Sequence, residues 1–220
     1  MDQVAESLLP GRQARFGYVC HRCSRCCHDK KIQLNPYEVA RLARNRGQTT
    51  TQFRATWTVG GAGTVLEQTE TGACVFLGPD GCTVHADRPL VCRLYPLGRH
   101  LTVGEDEQFS RLEPHPLSEG EYSDEGTIAD FLESQEADLF IQAADGYLHW
   151  FDTALHALVG DLGTTPSTIV AMPPEDHSRL LDMDAAIAGY CASTGGAEPT
   201  DIEDRKALHL RILYQTLSQR

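Results

Sequence analysis

Four cysteines within eight residues form the stretch of this chain whose residue types are best suited to chemistry. They are Cys20, Cys23, Cys26 and Cys27, so two overlapping C-x-x-C turns are followed directly by a fourth thiol. Thiolates are soft ligands, and a C-x-x-C turn lets two sulfurs converge on one tetrahedral ion or one edge of a cluster. Three more cysteines follow: Cys74, Cys82 and Cys92. Together the seven thiols predict a metal site.

The spacing leaves iron and zinc open as the metal. Bacterial ferredoxins use a C-x-x-C-x-x-C run with a distant fourth cysteine, which the first three thiols match, and zinc also takes four thiolates. One site with four thiolates leaves three of the seven thiols unused. Two separate four-ligand sites need eight ligands, so either His85 is the eighth or one thiolate bridges two metals. We favour an iron-sulfur cluster of the 4Fe-4S type, with zinc as the alternative. The C-x-x-x-C-x-x-C spacing of radical enzymes is absent, which argues against that chemistry.

Basic and imidazole side chains surround the cysteine run. His21 and His28 flank the thiols, but soft sites favour thiolate, so we expect both outside the ligand set. Four cations lie in the same loop and would either offset thiolate charge or face solvent: Arg22, Arg25, Lys30 and Lys31. Neither interpretation is excluded by the sequence.

The order of all seven cysteines resembles a known family. The C-x-x-C-x-x-C-C run, then Cys74-Val75-Phe76-Leu77, then the stretch from Cys82 to Pro96 with Arg88-Pro89 and Cys92-Arg93, is similar to the YkgJ-type cysteine-cluster family of zinc- or iron-chelating domains. The similarity covers about residues 16 to 100. The family usually has Tyr where this chain has His85, which is therefore a replacement or an added nitrogen ligand.

The resemblance also implies an activity, because the family includes proteins named flagellin lysine N-methylase. It thus implies protein-lysine methyl transfer from S-adenosylmethionine as an alternative function. The chain has no glycine-rich dinucleotide fingerprint, and the Gly60–Gly63 run lacks a phosphate-binding pattern. No catalytic or cofactor-binding residue can be named. A third alternative is a structural zinc scaffold for protein interaction.

The charge of the chain limits the kinds of binding partner that we expect. The net charge of -12 and pI of about 5.1 argue against nucleic acid and anionic membranes. The sequence shows no secretory signal and no transmembrane stretch, so we expect a cytoplasmic protein whose cysteines are ligands and not disulfides. The acidic surface of a helix beyond residue 127 is either simply solvated or a docking face for a basic protein substrate. The oligomeric state is open.

The elements before residue 118 must position the thiols. Asn35, Pro36 and Glu38 predict a helix over residues 36–46, and Thr49 with Gln52 predicts a capping box for a second helix. We expect both helices to cover the cluster. Hairpins are predicted at 64–67 with 74–77, at 74–77 with 82–85 and at 101–103 with 108–110. Arg88 and Arg93 are expected to brace the Cys92 turn, the alternative being an anion site.

The remaining chain predicts helices. A long amphipathic helix ends near Gly160, an extended linker covers about 161–182, and Cys191 lies buried in a short helix. Thr200 and Glu203 predict the cap of a terminal helix. The predicted fold is α+β: short hairpins and irregular loops around the metal centre, flanked by helices. Residues 1–118 form the metal-binding domain, and 119–220 form a helical extension packing on it.

Overall fold

The structure is a computed structural model that describes residues 8–61, 63–162 and 180–218. It confirms the α+β fold, since small antiparallel sheets accompany helices along these ranges. The strands are β1 (Leu8–Leu9), β2 (Arg15–Val19), β3 (Leu77–Gly78), β4 (Gly81–Cys82), β5 (Leu97–His100), β6 (Gln108–Arg111) and β7 (Glu121–Thr127). The helices are α1 (Pro36–Asn45), α2 (Thr50–Trp57), α3 (Leu90–Leu94), α4 (Ile128–Ser134), α5 (Asp138–Leu162), α6 (Met183–Thr194) and α7 (Ile202–Ser218).

Contacts within the chain define two units. The first, called here the cysteine unit, comprises Met1–Ile32 and Gln68–Ile141 and contains all seven clustered cysteines. The second, called the helical unit, comprises Gln33–Glu67 and Gln142–Arg220. The predicted division near residue 118 concerns domains, which these units do not test, and it stays a prediction.

One three-stranded sheet of the cysteine unit has the order β1-β6-β5, with both pairs antiparallel. In the β5-β6 hairpin, Leu97 pairs with Arg111 and His100 pairs with Gln108. The predicted hairpin therefore exists, but its first strand was placed wrongly at 101–103 instead of Leu97–His100. The error arose because Leu101 and Val103 have strand propensity, whereas the register depends on Phe109 and Leu97 facing the core.

A second pairing, between β2 and β7, was not predicted. Tyr18 lies opposite Tyr122, and Val19 lies opposite Glu121. The strands approach so closely at Gly17 that an added Cβ would lie 2.3 Å from the Ser123 hydroxyl oxygen. Only glycine fits there. Because β7 is rich in Glu, Ser, Asp and Gly, its sequence lacks the alternation that predicts a strand.

The core of the cysteine unit is aromatic and aliphatic. Phe16 is buried and makes edge-on contacts with Phe131, at a ring-centroid distance of 4.9 Å, and with Tyr122, at 5.9 Å. Such pairs contribute roughly 0.5–1.5 kcal/mol each beyond burial. Other buried members of this cluster are Leu94, Leu97, Phe109, Ile128, Leu132, Ala137 and Ile141. The core thus joins β2, β5, β6, α3 and α4 of the cysteine unit.

The predicted hairpin of 64–67 with 74–77 is wrong. Val65 bridges to Gln33 and Leu66 bridges to Thr58, so this stretch pairs within the helical unit. Only Gln68 pairs with Cys74, across a turn in which Gly72 has a φ of 76°. Short apolar runs do not specify which partner they pair with, and the competing partner lay earlier in the chain.

The helical unit confirms two capping predictions. Asn35 accepts a hydrogen bond from the Glu38 N-H at 3.0 Å, and the Glu38 carboxylate accepts from the Asn35 N-H at 2.8 Å. Thr49 and Gln52 make the equivalent pair for α2. Each reciprocal pair satisfies two N-H groups that a helix otherwise leaves without partners. The boundaries of α1 and α2 follow from these local bonds.

Tertiary packing in the helical unit joins early and late helices of the chain. The helices α1 and α2 pack on each other and on α6, and α1 also packs on α7. That α1 and α2 cover the cysteine cluster stays a prediction. The cap of α7 was also predicted wrongly, because the Asp201 carboxylate accepts from the N-H groups of Glu203 and Asp204 at 2.8 and 3.1 Å. Cys191 is buried in α6, as predicted.

Two further predictions concern the middle of the chain. The helix expected to end near Gly160 is α5, which ends at Leu162. Most of the predicted linker, residues 163–179, lies outside the described residues. None of the helices among the described residues combines the length and the apolar character needed to cross a membrane.

Candidate metal centre

The loop that carries the first four cysteines has an unusual backbone. Arg22 and Ser24 have φ angles of 56° and 61°, in the left-handed region that residues with a Cβ seldom occupy. A single 3-10 turn, Arg25–Cys27, follows, with the Cys27 N-H donating to the Ser24 carbonyl at 3.0 Å. Backbone strain of this kind costs on the order of 1–3 kcal/mol per residue and clusters at functional sites. The loop is therefore curled by tertiary contacts and not by propensity.

Backbone hydrogen bonds join this loop to the later cysteine segment. The Cys74 N-H donates to the Cys27 carbonyl at 2.8 Å, and the Asp29 N-H donates to the Gly72 carbonyl at 2.9 Å. His28 and Ala73 form the bridge between them. The backbones of Cys27 and Cys74 are therefore adjacent, whereas the convergence of sulfurs from the two segments on one metal stays a prediction.

Cys82 and Cys92 are positioned by short local elements. Cys82 ends β4 and pairs with Leu77 across the tight reversal, as predicted. Cys92 lies in the five-residue helix α3, where its N-H donates to the Pro89 carbonyl at 2.9 Å. Because Leu94 anchors the end of α3 in the core, the Cys92 turn is fixed relative to the sheet below.

Three thiols share one hydrogen-bonding pattern. The sulfurs of Cys23, Cys74 and Cys82 each accept from the N-H of the residue two positions further on, namely Arg25, Phe76 and Val84. For Cys23 the pKa is lowered, chiefly by the Glu119 N-H and then by that of Arg25. For Cys74 and Cys82, burial raises the pKa and the N-H bond opposes it. Donors aimed at sulfur favour the thiolate, the form that binds metal.

The adjacent thiols Cys26 and Cys27 form a coupled pair. The Cys27 S-H donates to the Cys26 sulfur, which lowers the pKa of Cys26 to about 7, with the charge of Lys30 contributing. The same hydrogen bond raises the pKa of Cys27, and burial adds to the effect. Proton loss from this pair therefore occurs at Cys26. Of the four cations in this loop, Lys30 is therefore the one that acts on the Cys26 thiol.

Sequence reasoning missed a segment that contacts Cys23. The Ser118 hydroxyl and the Glu119 N-H both donate to the Cys23 sulfur, and the Tyr18 hydroxyl lies 3.2 Å from the Ser118 oxygen. Since the Ser118 proton goes to sulfur, Tyr18 donates to Ser118. An added Cβ on Gly120 would lie 1.9 Å from the Tyr18 hydroxyl oxygen, so glycine is required for this approach. Nothing local in the sequence indicates these contacts, because they depend on the β2-β7 pairing.

The histidines near the cluster contact protein groups. His28 Nδ1 lies 3.2 Å from the Ser24 carbonyl, and His21 Nε2 lies 3.7 Å from the Glu121 carboxylate. His85 Nδ1 lies 3.4 Å from an Arg88 nitrogen, and burial together with the Arg88 charge lowers the pKa of His85. Whether His85 binds metal stays a prediction.

Arg93 confirms the predicted brace. Its guanidinium is buried and donates to the carbonyls of Arg88 at 3.1 Å and Gln135 at 2.7 Å, as well as to that of Ala86. The cation also lies 4.0 Å from the ring centroid of Phe140. Arg93 therefore ties the segment between Cys82 and Cys92 to the turn after α4.

The cysteines differ in their exposure to solvent. All eight are free thiols; Cys20 and Cys92 are exposed, and the other five of the cluster are half-buried. Among the residues that the structure describes, no three His, Cys, Asp or Glu side chains are arranged as a ready-made metal site. The donor chemistry fits a thiolate-bound metal, but the ligand set itself stays a prediction.

Residues 19–115 match the protein-family model CxxCxxCC, which is described as a "Putative zinc- or iron-chelating domain". The matched segment is similar to this family over less than half of the chain. The match confirms the resemblance seen in the cysteine order and supports metal binding by the CxxCxxCC domain in general terms. Neither the curated proteins nor the solved structures include a significant match to the chain. Ser118 and Glu119, which contact Cys23, follow the matched segment.

Proposed function

We propose that the CxxCxxCC domain of this protein binds an iron-sulfur cluster, with zinc as the second candidate. The proposed ligands come from the seven clustered thiols: Cys20, Cys23, Cys26, Cys27, Cys74, Cys82 and Cys92. The family supports a zinc- or iron-chelating role, and the choice of an iron-sulfur cluster rests on the ferredoxin-like spacing of the first three.

One observation carries the proposal. Free thiols from both cysteine segments lie in one unit, and three of them accept the same hydrogen bond from the N-H two residues further on. A buried cysteine with only a structural role has no need of donors aimed at its sulfur. Hydrogen bonds to sulfur stabilise thiolates and tune iron-sulfur clusters. Cys191, which is buried in α6 of the helical unit, provides the comparison within the same chain.

The protein groups have distinct tasks in this proposal. The Cys26-Cys27 pair offers one thiolate near neutral pH, and the Ser118 hydroxyl orients Cys23. Arg93 holds the Cys92 turn against the core. A bound cluster would supply one-electron chemistry, and bound zinc would supply folding free energy. Because the thiols are gathered but not arranged as ligands, we expect metal binding to order the side chains of the loop.

The test is anaerobic purification followed by a visible spectrum and analysis of iron, zinc and inorganic sulfide. One 4Fe-4S cluster predicts visible absorbance with about four iron and four sulfide per chain. Zinc predicts a colourless protein with no sulfide. Cys82→Ala should lose bound metal, because it removes a thiol whose sulfur already accepts an N-H bond. Cys191→Ala is the matched control and should retain the wild-type metal content.

Two results would contradict the proposal. A wild-type protein that takes up neither iron nor zinc under anaerobic reconstitution has no metal site of this kind. Equal metal loss in Cys82→Ala and Cys191→Ala would show that the cysteine unit is not where the metal binds. Unfolding of the cysteine unit on metal removal would favour the structural zinc scaffold over the cluster.

The structure adds no support for the predictions on methyl transfer, partners and cellular location. Nothing in the described residues favours S-adenosylmethionine, so protein-lysine methyl transfer stays a prediction of the resemblance alone. A protein substrate or partner, the exclusion of nucleic acid and membrane partners, and a cytoplasmic location also stay predictions.

A further inference from the structure

One turn of the cysteine unit is hydrogen-bonded to tyrosines from both cysteine segments. This turn, called here the tyrosine-clamped turn, consists of residues 115–118, and its Ser118 N-H donates to the His115 carbonyl at 2.7 Å. Pro116 occupies the second position, where its fixed φ suits a β-turn. The Leu117 N-H donates to the His115 imidazole at 3.1 Å. The turn is therefore closed by hydrogen bonds among its own residues.

Tyr18 joins the tyrosine-clamped turn to the early cysteine run. It lies in β2, two residues before Cys20, and its hydroxyl oxygen is 3.2 Å from the Ser118 hydroxyl oxygen. The register of β2 against β7 places Tyr18 opposite Tyr122 and so fixes where its side chain begins. The early run therefore leaves the sheet from a residue that is tied to the turn.

Tyr95 joins the same turn to the later cysteine segment. It follows α3, three residues after Cys92, and its hydroxyl oxygen accepts from the His115 N-H at 2.9 Å. The ammonium group of Lys30, three residues after Cys27, lies 5.7 Å from the centroid of the Tyr95 ring, within the range of a cation-π contact. The Tyr95 side chain thus contacts both the turn and the chain that follows the early run.

The two tyrosine hydroxyls meet the two ends of one short turn. Because His115 and Ser118 are joined by the hydrogen bond that closes the turn, the positions of Tyr18 and Tyr95 are coupled. The separation between the early run and the Cys92 turn is therefore constrained by three consecutive hydrogen bonds. A site whose ligands come from two segments binds more tightly when their separation is fixed in advance, because less conformational entropy is lost on binding.

We propose that Tyr18 and Tyr95 are positioning residues of the metal centre. Through the tyrosine-clamped turn they hold the early cysteine run and the Cys92 turn at a fixed separation. The inference rests on the proposed function, because it needs a metal held by thiols of both segments. Neither tyrosine is a ligand, and each acts through its hydroxyl group.

The test measures the zinc affinity of the full chain by anaerobic competition with a chromophoric chelator. Tyr18→Phe and Tyr95→Phe each remove one hydroxyl and keep the ring, and each should weaken zinc binding by about tenfold, at the lower end of the range for groups that support metal ligands. Tyr122→Phe is the matched control and should bind zinc like the wild type. The Tyr122 hydroxyl donates to the Leu112 and Pro96 carbonyls at 2.5 and 3.1 Å, and both lie outside the turn.

The double variant gives a readout that general destabilisation would not reproduce. Because both hydroxyls hold one turn, Tyr18→Phe combined with Tyr95→Phe should weaken zinc binding by less than about 30-fold, whereas independent contributions multiply to about 100-fold. Cobalt(II) provides a spectroscopic check, since its thiolate charge-transfer absorbance depends on ligand number and geometry. This absorbance should change in both single variants and match the wild type in Tyr122→Phe. Urea unfolding of each metal-free variant measures the loss of stability separately.

The outcomes separate this inference from the proposed function. If the wild type binds zinc and either Tyr18→Phe or Tyr95→Phe binds it as tightly, the positioning role is refuted and the metal site stands. Losses that multiply in the double variant, or that Tyr122→Phe shares, also refute it, because the hydroxyls then do not act through one turn. If the wild type holds only a reconstituted iron-sulfur cluster, the rate of iron loss to a chelator replaces zinc affinity in the same comparison. If it takes up neither, the proposed function fails and this inference fails with it.

Discussion

Replacing His209 should remove much of the acid sensitivity of this protein. His209 is fully buried in the helical unit, with Nε2 2.8 Å from the Leu180 carbonyl and Nδ1 2.9 Å from the Tyr147 hydroxyl. A carbonyl only accepts, so Nε2 carries the proton and Nδ1 accepts from Tyr147. The imidazole is therefore neutral. Burial lowers the pKa of His209 to about 4, although the Leu180 carbonyl and the charges of Asp182 and Asp184 oppose this.

The sign of the effect follows from proton binding. In the unfolded chain the imidazole takes up a proton near its ordinary pKa of 6.5, whereas in the folded chain it does so only near 4. The unfolded state thus binds more protons between these values, and stability falls as the pH falls through that window. The full difference is about 3 kcal/mol, of which about 2 kcal/mol is lost between pH 7 and pH 5.

The assay is urea unfolding of the metal-free protein at several pH values from 7 to 5, for the wild type and for His209→Gln. Glutamine can still donate to the Leu180 carbonyl but does not titrate. Contributions from thiols and carboxylates are common to both proteins and cancel in the comparison. The wild type should lose about 2 kcal/mol more than the variant over this range. Parallel pH profiles for the two proteins would refute the assignment of His209 as a buried neutral group.

Three further predictions address individual contacts. Arg93→Lys should lower the free energy of unfolding by roughly 2–3 kcal/mol in urea titrations, because lysine cannot serve the carbonyls that the guanidinium fork reaches; a change under about 0.5 kcal/mol would count against the brace. Ser118→Ala should weaken zinc binding by up to about tenfold in chelator competition with the metal content at saturation unchanged, and Ser118→Thr, which keeps the hydroxyl, should not. Asn35→Ala should cost about 1 kcal/mol in thermal unfolding by removing the cap of α1, whereas Asn35→Asp should be close to neutral.

Local bonding explains where sequence reasoning succeeded. The caps at Asn35 and Thr49 involve residues three apart, so the side-chain pattern alone specifies the start of α1 and α2. The reversal before Cys82 is similarly local. Thiol spacing is a chemical signature, and the cysteine order was enough to indicate the family that the comparison then showed.

Pairing between distant strands explains what was missed. The β2-β7 ladder joins residues about one hundred positions apart and brings Ser118 to Cys23, yet β7 has almost no strand pattern. The cap of α7 moved from Thr200 to Asp201 because two neighbouring residues compete for the same N-H groups. The packing of α1 and α2 on α6 could not be predicted, since an apolar stripe shows that a helix face is buried but not against which element.

The chain by itself therefore determined the starts of α1 and α2 and the cysteine order that is similar to the family model, because each depends on residues close in sequence. Tertiary structure alone decided that Cys74 hydrogen-bonds to the Cys27 carbonyl and that His209 is buried as a neutral imidazole. Burial and electrostatic environment are properties of groups gathered from distant parts of a chain. For that reason the residues that tune the proposed centre could be named only after the fold was known.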